Sequence, residues 1–421
     1  MEDEKDEKKQ WEMDASIPSP PAPARPQARP PLHEVIPPLV MGTATFNTQY
    51  VPDPFALPAA SIISRALDLG VTAFDTSPYY GPSETILGEA LTHPSVTSRH
   101  ARPSYFLVTK AGRVAGDEFD YSPAWIRYSI YRSLERLHTP YLDLVYTHDV
   151  EFVSPAEVLA AVRELRRLRD EERLIRYVGI SGYPVATLCD LAAMILRETG
   201  EPLDAVLSYG HFTVQNTTLG SAGGAMRRFA DAGVDVVLNA SMLGMGLLTT
   251  RGADAGPMSS WHPSPEGLRQ ACQDLVPVAV DAGERLEVVA IRWALDQWST
   301  IGAARGSRAS GSPAGARVGV SVMGISNIAE LEETCRVFGS VVEGLEPDSS
   351  DPAAMSRTQK SRERRVEIQA VVEKMWAVLG TWKDYSWDSP GPGFVNTRKV
   401  ADIGVTPDDG VLTRYKSKTT L

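Results

Sequence analysis

The feature that most constrains this chain is an alternation. Eight short β-rich runs, LVMGT (39–43), VTAF (71–74), YFLVT (105–109), DLVYT (143–147), YVGIS (177–181), AVLSY (205–209), VDVVLNA (234–240) and VGVSVMG (318–324), are separated by stretches with helical spacing. Three of those stretches carry their own punctuation. SIISRALDLG (61–70) ends in glycine, SPAWIRYSIYRSLERLH (122–138) opens on a serine cap, and SPAEVLAAVRELRRLRDEER (154–173) repeats apolar residues every three or four positions. Strands reached through crossover helices belong in a parallel sheet covered on both faces. An open doubly wound sheet is the rival. It usually announces a nucleotide site with G-x-G-x-x-G after the first strand, and MGTATFN (41–47) lacks that motif. Eight units over about 300 residues therefore predict an α/β fold of the closed (β/α)8 TIM barrel type.

The flanks have a different composition. Residues 1–37 hold MEDEKDEKK and then IPSPPAPARPQARPP, a charged and Pro-rich tail expected to stay extended and disordered. AARGSRASGSPAGAR (303–317) reads as a low-complexity surface insertion, and EPDSSDPAAMSRTQKSRERR (346–365) as a loose stretch ending in a helical start. The expected organisation is a tail to residue 37, a barrel over 38–345, and a C-terminal helix and tail over 346–421. With 421 residues and 43% hydrophobic content, the chain can bury a core of that size. A net charge of −11 argues against nucleic acid as a partner, since no basic stripe is available. The charged start argues against a signal peptide, and no apolar run reaches membrane-spanning length. Cys189, Cys272 and Cys335 are scattered without metal-ligand spacing, which predicts no metal site and fits a reducing, cytoplasmic setting.

In a TIM barrel the chemistry sits where the strands end. Strand 2 ends with Asp75 and is followed five residues later by Tyr80; strand 3 ends with Lys110 and strand 4 with His148. Together they make a coherent device. A tyrosine of ordinary pKa, about 10, exchanges protons poorly at neutral pH, and a nearby ammonium favours its phenolate. Asp75 would hold Lys110 in place and charged. His148 would hydrogen-bond the substrate oxygen and orient it. This is equipment for carbonyl–alcohol interconversion, with the hydride carried by a cofactor.

FDTSPYYG, VTKAG, DLVYTHD, VGISG, LNASMLGMGLLT and VMGISNIAELEE occur in the order found in the aldo-keto reductases, and residues 38–340 resemble that family. The resemblance implies a catalytic tetrad of Asp75, Tyr80, Lys110 and His148. It also implies nicotinamide contacts at Thr43, Asp75 and Ser181, and a pyrophosphate loop at Ser241 and Leu243. Contacts to the adenosine end would come from Gly324, Ser326 and Glu330. Tyr79 is expected to line the pocket, with Phe46 and His148 also on the substrate side. Two positions depart from the family pattern. Ala240 stands where an aromatic commonly stacks on the nicotinamide, and Gly182 where an asparagine commonly holds its carboxamide.

The last segment bears on which dinucleotide is used. Relatives that prefer NADP carry a lysine and an arginine at the positions of Gly324 and Glu330. A carboxylate repels a 2′-phosphate but accepts hydrogen bonds from a ribose diol, so NAD is expected over NADP. The rival role for Glu330 is to cap the helix that starts near Asn327. YTHDVEFV, LSYGHFTVQNTTL and NASMLGMGLLT are most similar to the sugar 1-dehydrogenases of the family. TWKDYSWDSPG (381–391) is expected to fold over the barrel mouth, with Trp382 and Trp387 offering flat faces to a sugar ring. The implied activity is oxidation of an aldose, D-arabinose first, at C1. An NADPH-dependent aldehyde reductase and a non-catalytic, cofactor-sensing scaffold stay open as alternatives, and protein partners stay open with them.

Overall fold

The computed structural model describes residues 29–221, 224–313, 316–347 and 349–419. Eight strands form the sheet: β1 (Leu39–Gly42), β2 (Ala73–Asp75), β3 (Phe106–Ala111), β4 (Leu142–His148), β5 (Ile175–Gly182), β6 (Ala205–Tyr209), β7 (Val236–Ala240) and β8 (Val320–Gly324). All neighbours are parallel and pair in chain order, and β8 closes on β1 through a register that sets Gly42 opposite Gly324. Every expected run is a strand, with only its ends adjusted.

Two-residue periodicity then decides which side chain faces where. Val40, Ala73, Val108, Tyr146, Leu207, Leu238 and Val322 belong to one buried cluster inside the barrel. Their neighbours Met41, Phe74, Leu107, Val145, Val206 and Val237 belong to a second cluster between the strands and the helices. Both faces are dry, which is why these strands read as apolar throughout. The connecting helices start where the sequence says they should. Ser122 Oγ accepts from Trp125 N–H at the head of the helix Pro123–Arg136, and Ser154 with Glu157 makes a reciprocal cap on Pro155–Asp170. The helix Ala59–Asp68 stops before Gly70, whose φ of +83° is cheap only without a side chain.

Three expectations need correction. Residues 29–37 are not an extended tail: Leu32 and Ile36 are buried in the inner cluster and plug the N-terminal end of the barrel. Arg29 pairs with Asp204 at 2.9 Å, and Tyr177 OH donates to the carbonyl of Pro30 at 2.6 Å. Two apolar side chains four apart suffice as a stopper because the strands already supply the walls. The remainder of the expected tail, residues 1–28, lies outside the described residues. The 303–317 segment is stitched to the same end, not loose: Ser307 bridges Val318, Ser307 Oγ donates to Ile36 O, and Arg308 N–H donates to His33 O at 2.6 Å. The 346–365 stretch turns helical early, in a 28-residue helix Pro352–Leu379 capped by Asp351. Its Ile368, Val372, Met375 and Leu379 are buried along one side, so tertiary packing stabilises what composition alone left open. Among the described residues no helix is long and apolar enough to cross a membrane.

Candidate active site

Because Asp75, Lys110 and His148 each follow an inward-facing residue by two, they continue the inner layer upward at the C-terminal mouth. The Lys110 ammonium donates to Asp75 Oδ1 at 2.6 Å and to the Thr76 carbonyl at 3.0 Å, and both side chains are almost wholly buried. Tyr80 arrives from the turn after β2. Its ring lies 4.8 Å from the Lys110 ammonium and stands edge-on to the His148 ring, 5.6 Å between centroids. The adjacent Tyr79 ring also meets His148 edge-on, 5.8 Å between centroids, but its cation is the Arg113 guanidinium, 3.8 Å over the ring, not Lys110. The two tyrosines therefore differ in the charge beside them.

The histidine is held on one side. Tyr79 N–H donates to Ser77 Oγ at 3.1 Å, and the same hydroxyl meets His148 Nδ1 at 3.0 Å. In the tautomer in which Ser77 donates, Nε2 carries the proton and is the one able to donate to a substrate oxygen. Burial pushes His148 down to about 3; the Asp149 charge opposes this, while Lys110 and Arg113 reinforce it. The ring is thus a neutral donor at any ordinary pH.

One electrostatic expectation is overturned. Lys110 was expected to draw Tyr80 down. Instead burial holds the phenol well above its usual value, the charges of Asp75 and Asp149 add to this, and Arg113 opposes them. The ammonium is committed to Asp75, so its charge is largely spent on the pair. Burial likewise pushes the Asp75 carboxyl up, against the pull of Lys110.

A cavity of about 1280 Å³ opens from this group. Asp75, Tyr79, Tyr80, Lys110 and His148 line one end; Ser181, Ser241, Leu243, Gly324, Ser326 and Glu330 follow along it; Trp387 comes from the C-terminal segment. Three expected contacts do not line it. Gly42 takes the inward position, so Thr43 turns away, donating to the Asp75 carbonyl at 3.0 Å and meeting Ser83 Oγ at 2.8 Å. Phe46 is fully buried in the cluster between strands and helices. Trp382 packs its ring against Gly267, and its carbonyl accepts from Gln215. Trp387, from the same segment, stacks on Tyr183 with ring centroids 4.6 Å apart.

Glu330 is tied to the start of the following helix and also reaches the cavity. Its Oε2 accepts from Ser326 N–H at 2.8 Å and Ser326 Oγ at 2.7 Å, while its own N–H donates to Asn327 Oδ1 at 3.0 Å. Asn327 caps the helix Ile328–Leu345, and Glu330, in its first turn, ties back to Ser326 while lining the cavity. Arg285 also lines this end, but Glu287 at 3.1 Å and Glu333 at 2.8 Å already pair with it.

The cavity suits a nicotinamide dinucleotide in volume and in the groups that line it. Ser241, Gly244, Met245 and Gly246 all have positive φ, so successive peptide groups fold back on one another, as in backbone cradles for pyrophosphate. Ser181 Oγ–H donates to the Thr147 carbonyl at 3.2 Å, leaving its lone pairs to accept from a carboxamide. The space a side chain at Gly182 would take is filled from the turn after β4: a Cβ there would come within 2.5 Å of Glu151 Oε2. Sequence reasoning missed Arg113, Asp149 and Tyr209, which also line the mouth. Tyr209 was legible from parity, two residues after Leu207. Asp149 was not, because the residue after an inward His148 should point outward. No group of three metal-ligating side chains occurs among the described residues.

A model of the aldo/keto reductase family matches residues 38–343. The chain is 40% identical to D-arabinose 1-dehydrogenase of Saccharomyces cerevisiae over 263 residues, 62% of this chain and 76% of that protein. It is 29% identical to L-galactose dehydrogenase of Arabidopsis thaliana over 335 residues, 79% of this chain and 87% of that one. Among solved structures, an aldo-keto reductase from Pseudomonas aeruginosa aligns with a TM-score of 0.46 and 22% identity, covering 73% of this chain and 90% of that chain.

Proposed function

The chain belongs to the aldo/keto reductase family of NAD(P)-dependent oxidoreductases, and from that premise we propose that it oxidises an aldose at C1 to the aldonolactone, with D-arabinose as first substrate and NAD as cofactor. The observation that carries the reading is the placement of Tyr80 between the Lys110 ammonium and the His148 ring at the mouth of a long cavity. The name of the yeast relative supports the substrate, and the flat face of Trp387 at the mouth suits a pyranose ring. The carboxylates that pair with Arg285 and the charge on Glu330 at the same end support NAD, because they oppose a 2′-phosphate.

A dinucleotide held by Ser181, Ser241 and the backbone at 244–246 would supply the acceptor for the hydride of C1. The protein handles the proton. The proton of the anomeric hydroxyl passes to Tyr80 Oη, which must first lose its own proton against the burial that favours the neutral phenol, so oxidation is favoured by raised pH. His148 donates to the same oxygen and fixes its direction. Lys110, anchored by Asp75, keeps a positive charge beside the tyrosine ring. The sugar ring stays closed throughout, so the product is the lactone. Trp387 and Tyr385, brought by the C-terminal segment, narrow the mouth and limit water. We place this chemistry in the cytoplasm, in keeping with three unpaired cysteines.

A second reading, an NADPH-dependent aldehyde reductase, uses the same four residues in reverse. One experiment separates them: purified protein assayed with D-arabinose, L-galactose, L-fucose and L-xylose against NAD and NADP, with lactone trapped as hydroxamate. Efficient aldehyde reduction with NADPH and no aldose oxidation with NAD would reject the first reading.

A further inference from the structure

Two consecutive residues, His148 and Asp149, both line the cavity, which an extended strand cannot arrange. Asp149 manages it through a left-handed backbone, φ +58° and ψ +63°, a conformation that aspartate tolerates better than most residues. Its carboxylate is then held tightly. Oδ2 pairs with Arg113 Nη1, and Arg113 is itself fixed by Gly116 O at 2.9 Å and by the Tyr79 ring. The other oxygen, Oδ1, is buried without a hydrogen-bond partner. Burial works against the Asp149 charge, but the paired Arg113 guanidinium favours the carboxylate, so it is an acceptor only.

The spacing to the chemistry is informative. Oδ2 lies 3.7 Å from His148 Nε2, the atom that donates to the reacting oxygen in the proposed reaction. A donor and an acceptor that close together match two oxygens on adjacent carbons, one receiving a hydrogen bond and the other giving one. We propose that Asp149, held by Arg113, is the specificity residue that reads the hydroxyl on the carbon next to the reacting one, so that the site selects 2-hydroxy aldehydes and aldoses over simple aldehydes. This rests on the function proposed above and deepens it. A substrate lacking that hydroxyl leaves the buried carboxylate with Arg113 as its one charged donor and an acceptor position unfilled, a loss by which binding sites discriminate.

The test compares D-arabinose with 2-deoxy-D-ribose, which is the same sugar without the C2 hydroxyl, in wild type and Asp149→Asn. Asparagine keeps the shape and tolerates the left-handed backbone. Wild type is expected to favour D-arabinose in kcat/KM by about 10- to 100-fold, the range of one charged hydrogen bond. In Asp149→Asn, efficiency with D-arabinose falls by about that factor while 2-deoxy-D-ribose is little affected, and the ratio approaches one. The apparent Kd from a thermal-shift titration with each sugar should follow the same order. An equal loss on both sugars, or a wild type indifferent to the C2 hydroxyl, overturns the proposal; the first outcome would mean that Asp149 acts only through His148. If wild type oxidises no aldose, the functional reading fails by itself. Reduction of glycolaldehyde against acetaldehyde then tests the same subsite, because only the former carries the adjacent hydroxyl.

Discussion

The Asp75–Lys110 pair offers a quantitative check on the site. The two charges lie 2.6 Å apart with side-chain exposures of 2% and 6%, so water screens neither. Burial pushes Asp75 up against the pull of Lys110, so the pair need not be net stabilising. Breaking it from one side is another matter. Asp75→Asn leaves the ammonium with only the Thr76 carbonyl and an amide oxygen. Lys110→Met leaves a carboxylate whose Oδ2 already lacks a partner. Each single change should cost about 3–5 kcal/mol, the range for an uncompensated buried charge. The double variant removes both charges together and keeps most of the volume, so its loss should be about 1–2 kcal/mol. The cycle then gives a coupling of several kcal/mol, well outside the few tenths expected of independent sites. Urea denaturation of all four proteins at one pH measures it, with unchanged m-values as the sign that unfolding stays comparable. Activity should be lost in all three variants, so stability and turnover part company in the double. Additive losses in the double variant, or single losses below about 0.5 kcal/mol, would refute the reasoning from burial.

Other outcomes follow from the same geometry. Tyr80→Phe keeps the ring over Lys110 but removes the proton carrier, so kcat should fall by about 10² or more with cofactor affinity little changed, and Tyr79→Phe, whose ring serves Arg113, should retain turnover; comparable losses in both would contradict the assignment. Glu330→Arg with Gly324→Lys should move the ratio of efficiencies toward NADP by roughly one to two decades, whereas Glu330→Gln, which can still accept from Ser326, should leave Tm within about 1 °C. The Glu151 carboxyl is pushed up to about 8, first by burial and then by the Asp149 charge. A raised carboxyl contributes stability that is complete below its unfolded value near 4.5 and is lost as pH rises through 8. Glu151→Gln, which can still accept from Ser389 and Tyr183, should therefore exceed wild type at pH 9 by on the order of 1 kcal/mol or more and lose that advantage at pH 4. Thermal melts at the two pH values that ran in the opposite order would rule it out.

Much of the fold was legible because its signals are local. Apolar runs bounded by helical stretches, the serine caps at Ser122 and Ser154 and the glycine at Gly70 each act within a few residues. Eight repetitions of one unit leave little choice of topology. The tetrad was legible for a related reason: strands alternate with a period of two, so residues at the right parity near successive strand ends must converge on the axis. Tyr209 obeyed that rule as well, and Thr43 was misplaced for want of applying it.

The sequence by itself, then, determined the barrel, the order of its strands and the convergence of Asp75, Lys110 and His148. What only the tertiary structure decided lies where the chain leaves its periodicity or meets a distant partner. A single left-handed residue turned Asp149 into the mouth against the alternation. Leu32 and Ile36 became a plug only because the closed strands gave them a cavity to fill. Trp382 and Trp387, alike in type and five residues apart, were sent to different places by the path of the chain across the mouth, one to Gly267 and the other to Tyr183. Local propensity reaches a few residues along the chain. Which face a side chain presents after a turn, and which surface awaits it, depends on contacts between segments more than a hundred residues apart, and these exist only once the barrel has closed.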